Sequence, residues 1–118
     1  MLDAAARDRV QALVMPILPF LNAAVWQQMT AWAIEHRVVT RGSLLSRGEA
    51  VLAFGANVPD LFRLHVAQLD RVLRGAKPAE TPILQPTLWD TVINQRLARA
   101  VGWPAPQSVL VQATEVIE

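Results

Sequence analysis

The chain has 118 residues, of which 53% are hydrophobic and 18% are charged, and its formal net charge is +1. This composition excludes a disordered chain, which combines low hydrophobicity with high net charge, and the near-balanced charge gives no electrostatic reason to expect nucleic-acid binding. Cysteine is absent, so disulfides, thiolate nucleophiles and cysteine-ligated zinc are excluded.

The length predicts a single domain spanning residues 1–118. No apolar run reaches the roughly 18 residues of a membrane span. The first ten residues carry Asp3, Arg7, Asp8 and Arg9 where a signal peptide would have its apolar core. We therefore expect a cytoplasmic location if the chain is a complete gene product.

The first part of the chain predicts a βαβ unit. Residues 10–18 form a short apolar run, typical of a strand covered on both faces. Asn22 is a suitable N-cap for a helix that reaches about His36. Val25, Met29, Trp32 and His36 fall on one stripe of that helix, and residues 38–40 predict a second strand.

The clearest predicted helix follows an apolar strand at residues 50–54. Asn57 or Val58 caps it, and Pro59 and Asp60 suit its first turn. Gly75 ends the helix. The spacing of its large apolar residues predicts a buried stripe made of Phe62, Val66, Leu69 and Leu73.

The C-terminal part predicts one more strand and two short helical segments. Residues 87–93 alternate as a strand does, and Asn94 caps a helix that ends at Gly102. Ser108 begins a last helical turn or two that reaches Ile117.

The sequence contains no pattern of catalytic or metal-binding residues. His36 and His65 are the only histidines, and neither has a partner at metal-ligand spacing. The serines lack a G-x-S-x-G context, and the glycines form no phosphate-binding loop. We expect no enzyme activity, no metal and no cofactor.

Five segments occur together in an order and at spacings that point to a known family. They are DLFR at 60–63, DRVLRGAKPA at 70–79, QPT at 85–87, VIN at 92–94 and ATEVIE at 113–118. The chain resembles the C-terminal part of ABC transporter substrate-binding proteins of the tryptophan/tyrosine permease type. The resemblance covers about residues 10–118 and is strongest from Asn57 onward.

The resemblance implies a type I periplasmic-binding fold, in which two α/β lobes close on a ligand and the chain crosses between them. This chain would be a three-layer α/β structure with a mostly parallel sheet, resembling the C-terminal part of one lobe. It implies a solute-binding component, or a truncated remnant, of an ABC-type importer. The partners would be a small amino-acid-like solute and the ABC permease, and the location would be the periplasm.

Four residues are candidates for ligand binding. Arg41, Phe54 and Asn57 lie at the C-terminal ends of predicted strands, where open α/β sheets bind ligands. Asn57 is also a good cap for the following helix, and this role is favoured over ligand binding. The resemblance adds Phe20, which belongs to the turn after the first strand.

A second hypothesis is a structural or interaction protein that forms a homodimer and has lost its ligand site. Ala53 and Phe54 stand where the family carries serine and tyrosine hydroxyls. The apolar composition predicts a surface that another chain covers. We expect the homodimer to bury Trp89, Trp103 or their neighbours. A ligand-sensing domain of the type I repressor kind ranks lower, because no helix-turn-helix precedes residue 10.

Overall fold

A computed structural model describes residues 2–16 and 22–118. The helices are α1 (Leu2–Arg7), α2 (Ala23–His36), α3 (Val58–Leu73), α4 (Gln95–Ala100) and α5 (Gln107–Leu110). The strands are β1 (Ala12–Val14), β2 (Val39–Gly42), β3 (Leu52–Ala56), β4 (Trp89–Asn94) and β5 (Glu115–Ile117). The described helices include none with the length and hydropathy needed to cross a membrane.

The strands form one mostly parallel sheet in the order β1-β2-β3-β4-β5. β1 runs parallel to β2, β2 to β3, and β4 to β5. β4 lies beside β3, where the Asn94 N–H donates to the Val51 carbonyl at 2.9 Å. The α/β class and the mostly parallel sheet predicted from the sequence are confirmed. The C-terminal segment was only partly predicted, because β5 follows a single helical turn, α5.

The chain divides into two compact units, each described by itself. The first contains the residues up to Gly55 together with Asp90–Glu118, and the second is Ala56–Trp89. In the first unit α2 packs Trp26 and Met29 against Met15. In a second cluster of the same unit, Leu97 of α4 packs against Val51.

The two helices cover opposite faces of the sheet. Leu13 packs with the α2 cluster and pairs with Thr40 in the sheet register. Val39 packs with the α4 cluster. Since Val39 and Thr40 are consecutive strand residues, their side chains point to opposite faces. The first unit therefore has three layers, with helix, sheet and helix in succession.

The face of α2 that is buried is rotated from the face that was predicted to be buried. The buried residues are Trp26, Met29 and Ala33, whereas Trp32 is only partly buried and stacks on His36 with ring centroids 4.6 Å apart. Trp26 is drawn inward because the sheet has room for it at Gly42, where an added Cβ would come within 3.1 Å of the indole. A bulky residue at position 42 would close this space.

The second unit consists of α3 and the segment that follows it. Asn57 Oδ1 accepts from the Asp60 N–H at 2.9 Å, so Asn57 is the N-cap. Gly75 adopts a φ of +100° just after the helix, a conformation that favours glycine. Residues 76–88 follow the helix, and we call them the return segment. Gln68 Nε2 donates to the Pro82 carbonyl at 2.6 Å, which holds the return segment against the helix.

The predicted buried stripe of α3 is exposed. Phe62 is 64% accessible, Val66 62%, Leu69 57% and Leu73 78%. The partly buried residues of the helix instead include Leu61, Leu64, Gln68 and Val72, and several of them line a cavity of about 220 Å³ with Ile83 and Leu84. The prediction failed because the return segment packs on a different side of the helix from the one with the strongest apolar periodicity.

Candidate functional site

Arg41, near the carboxyl end of β2, meets Phe54 in the middle of the neighbouring parallel strand β3, which ends at Ala56 rather than at the predicted residue 54. Arg41 pairs with Leu52 in the register of β2 and β3. Phe54 lies two residues beyond Leu52 and therefore on the same face of the sheet. The guanidinium carbon of Arg41 is 5.7 Å from the centroid of the Phe54 ring, and Arg41 Nη2 donates to the Phe54 carbonyl at 3.3 Å. The two side chains form one local surface.

Val14 extends this surface onto a third strand. Val14 is the register partner of Arg41, so it also shares the face. Val14 is 65% accessible and Phe54 38%. We call Val14, Arg41 and Phe54 the carboxyl-edge site. Sequence reasoning missed Val14 because it placed the end of the first strand at residue 18 instead of residue 14.

Backbone contacts hold the carboxyl-edge site in place. The Met15 N–H donates to the Arg41 carbonyl at 2.8 Å, which ties the end of β1 to β2. Thr40 is 2% accessible, and its Oγ1 accepts from the Val51 N–H at 3.0 Å. At Gly55 an added Cβ would come within 3.2 Å of Leu44, so the loop after β2 approaches β3 closely. The site is therefore built on strands rather than on a free loop.

The site joins one permanent positive charge to an apolar surface. A guanidinium presents five N–H donors and binds carboxylates in a bidentate manner. A cation above an aromatic ring contributes about 0.5–1 kcal/mol when exposed, which helps to orient the arginine. Val14 and Phe54 offer apolar contact for the body of a ligand. The arrangement is suited to binding a carboxylate that carries a hydrophobic group.

Of the other two candidates, Phe20 lies outside the described residues. Asn57 belongs to the second unit, where its side chain caps α3 and its N–H donates to the Leu88 carbonyl at 2.9 Å. Its ligand role stays a prediction. Within the described part of the chain, no three His, Asp or Glu side chains come together as a metal site would require.

The tryptophans named for an interface differ in their surroundings. Trp103 is partly buried and packs against the cluster formed by Val51, Leu97, Ala98 and Val101. Trp89 is 53% accessible. Trp103 thus contributes to the core of its own unit.

Solved structures share the fold of this chain at low sequence identity. A conserved domain protein from Vibrio cholerae O1 biovar eltor superposes with a TM-score of 0.79 at 21% identity, over 98% of this chain and 39% of the other. An ABC domain from Streptococcus pneumoniae in complex with L-Trp gives 0.77 at 24% identity, over 98% and 40%.

A third structure is a substrate binding protein with adhesive properties from Clostridium difficile, in its ligand-free, open form. It gives a TM-score of 0.67 at 15% identity, over 99% of this chain and 41% of the other. No family model and no curated protein matches the sequence. The chain thus has the fold of part of a substrate-binding protein, and it spans about two fifths of the length of these structures.

Proposed function

We propose that this chain is the solute-binding part of an ABC-type importer and binds a small amino-acid-like solute without transforming it. The observation that carries the proposal is the pairing of Arg41, near the carboxyl end of β2, with Phe54 of β3. Open α/β sheets bind their ligands at such strand ends. Arg41 would bind the solute carboxylate, and Phe54 and Val14 would contact its side chain.

The neighbouring structures support this proposal through the fold and through one bound ligand. The Streptococcus pneumoniae domain holds L-Trp, a solute with a carboxylate and an aromatic ring. An ABC permease as partner and a periplasmic location are part of the same proposal, because an importer receives its solute on the outer side of the cytoplasmic membrane.

Calorimetric titration with aromatic and aliphatic amino acids tests the proposal, with thermal unfolding followed in parallel. A solute at about one hundred times its dissociation constant stabilises the folded chain by about 2.7 kcal/mol, which raises the Tm. Arg41→Gln should weaken binding about tenfold to one-hundredfold, because a hydrogen bond to a charged group contributes about 1.5–3 kcal/mol.

Arg71→Gln is the matched control, since it removes the same charge from an exposed position on α3. Its affinity should equal that of the unaltered chain. The proposal is wrong if no solute in the panel binds, or if Arg41→Gln binds the solute as tightly as Arg71→Gln does.

A second candidate function is self-association. The observation in its favour is the exposed apolar side of α3, which carries Phe62, Val66, Leu69 and Leu73. Trp103, which the sequence suggested for this role, is already packed within its own unit.

A further inference from the structure

The exposed apolar residues of α3 form a continuous stripe. Phe62, Val66, Leu69 and Leu73 follow one another at intervals of four, three and four residues, so they line one side of the helix. Each has more than half of its surface accessible in the single chain. Single exposed apolar residues are ordinary, but a row of four large ones on one helix marks an interface.

Two opposite charges lie along the same edge of this α3 stripe. At about 100° per residue, Arg63 and Asp70 fall within about 20° of each other, to one side of the apolar row. Both are exposed. Asp70 also forms an ion pair with Arg74, with Arg74 Nε and Asp70 Oδ2 2.8 Å apart. Arg71 lies on the opposite side of the helix from the stripe.

These charges distinguish two ways of pairing α3 with a second copy of itself. In a parallel two-fold pair, the edge that carries Arg63 and Asp70 lies on one flank of the contact in one copy and on the opposite flank in the other, so these charges do not meet. If the helices run antiparallel about a two-fold axis between Val66 and Leu69, Arg63 of each copy lies beside Asp70 of the other. The same axis places Phe62 opposite Leu73 and Val66 opposite Leu69. The antiparallel arrangement is thus complementary in both charge and apolar contact.

We propose that two copies of this chain associate through the α3 stripe as an antiparallel, two-fold symmetric helix pair flanked by two reciprocal Arg63–Asp70 ion pairs. The proposal rests on the second candidate function, self-association, and is independent of the solute site. Isologous contacts of this kind are the commonest in homo-oligomers. One helix from each copy buries less than the roughly 800 Å² per partner of a standard interface, so we expect a reversible dimer with micromolar affinity.

Charge exchange tests the pairing without altering any buried side chain. Arg63→Asp gives a chain in which positions 63 and 70 are both acidic, and Asp70→Arg gives a chain in which both are basic. Each variant alone should dimerise at least about tenfold more weakly, because two ion pairs of about 0.5 kcal/mol each become two repulsions. An equimolar mixture of the two variants should form a heterodimer at close to the original affinity. Analytical ultracentrifugation over a concentration series measures all three samples.

Arg71→Asp is the matched control, because it changes the net charge by the same amount on the far side of the helix. Its dimer should keep the dissociation constant of the unaltered chain within about twofold. Leu69→Gln, at an exposed position, should abolish the dimer while leaving the far-ultraviolet circular dichroism of the monomer unchanged.

Three results would overturn the proposal. A chain that stays monomeric at several hundred micromolar has no such dimer, and the stripe is then covered by another partner. A dimer that is indifferent to Arg63→Asp and Leu69→Gln forms elsewhere. A mixture that fails to associate excludes the antiparallel register. None of these results bears on Arg41, so solute titration of the same variants separates the failure of this proposal from that of the solute-binding function.

Discussion

Arg37 is a residue whose backbone conformation and side chain are poorly matched. It caps the C-terminus of α2 with φ 56° and ψ 44°, and its N–H donates to the carbonyls of Ala33 and Ile34. This left-handed conformation costs a residue with a Cβ about 1–2 kcal/mol in conformational free energy, and it does not cost glycine this amount. The positive charge at a helix C-terminus offsets about 0.3–1 kcal/mol of this strain.

Arg37→Gly should therefore stabilise the chain by about 0.5–1 kcal/mol, since the relief of strain exceeds the lost charge interaction. The expected result is a Tm a few degrees higher in a thermal melt followed by circular dichroism. An unchanged or lower Tm would show that the guanidinium of Arg37 contributes more than its conformation removes.

Arg47→Gly provides the control of opposite sign. Arg47 also ends a helical turn, but with φ −57° and ψ −30°, where glycine has no advantage. Its exposed ion pair with Glu115, 3.4 Å long, contributes about 0–1 kcal/mol. The Tm of this variant should fall.

Arg41 and Phe54 could be chosen from the sequence because each ends a predicted strand, and parallel strands place those ends on one edge of the sheet. Their mutual contact could not be predicted, since it depends on the register of Arg41 with Leu52. Val14 could not be found for the same reason. A shift of one residue would turn its side chain to the other face.

At the scale of elements, three asparagines begin three helices. The sequence predicted Asn22 and Asn94 as caps and offered Asn57 or Val58 for the third, of which Asn57 is the cap. Asn22 Oδ1 accepts from the Val25 N–H at 3.1 Å, and Asn57 and Asn94 do the same for Asp60 and Leu97. Each bond joins residues three apart, so it depends on local sequence alone. Asn94 differs from the others because it is 1% accessible, and its Nδ2 also donates to the Gly48 carbonyl at 3.2 Å.

We predict that Asn94→Ala destabilises the chain by about 2–3 kcal/mol, because it removes a cap and also leaves the Gly48 carbonyl without that partner. Asn22→Ala removes only an exposed cap and should reduce the free energy of unfolding by about 1 kcal/mol. Urea denaturation followed by tryptophan fluorescence measures both. Equal effects would mean that the bond to Gly48 contributes nothing to stability.

The faces of the two long helices were harder to predict than their ends. On α2 apolar side chains occur on both sides of the helix, so the periodicity alone does not decide between Trp26 and Trp32. On α3 the strongest apolar row is the exposed one. A row of this kind shows where a helix carries apolar surface, but it does not show which segment packs against it.

For the whole molecule, the two units should differ in local stability. α3 has no buried residue, whereas β4 has three, Val92, Ile93 and Asn94. Segments with little buried apolar surface open at lower free energy than the core. We expect the amides of α3 in dilute solution to exchange with solvent faster than those of β4, as measured by hydrogen-exchange mass spectrometry.

The same measurement at high concentration separates the behaviour of one chain from that of a dimer. Protection of α3 should rise with concentration in the unaltered chain and should not rise in the Arg63→Asp variant. Protection of β4 should be the same in both at all concentrations. Slow exchange of α3 in dilute solution would contradict the assignment of low local stability.

The sequence by itself determined where α2, α3 and α4 begin, that α3 ends just before Gly75, and that the chain is an α/β structure with a mostly parallel sheet. Capping bonds, glycine conformation and short apolar runs act within a few residues, so they can be identified without knowledge of the rest of the chain. Tertiary structure alone decided which face of each long helix is buried, where Val14 lies beside Arg41, and that the last residues form β5. These features depend on contacts between segments far apart in the chain. Apolar periodicity shows which residues of an element are apolar, but it does not show which other segment packs against them.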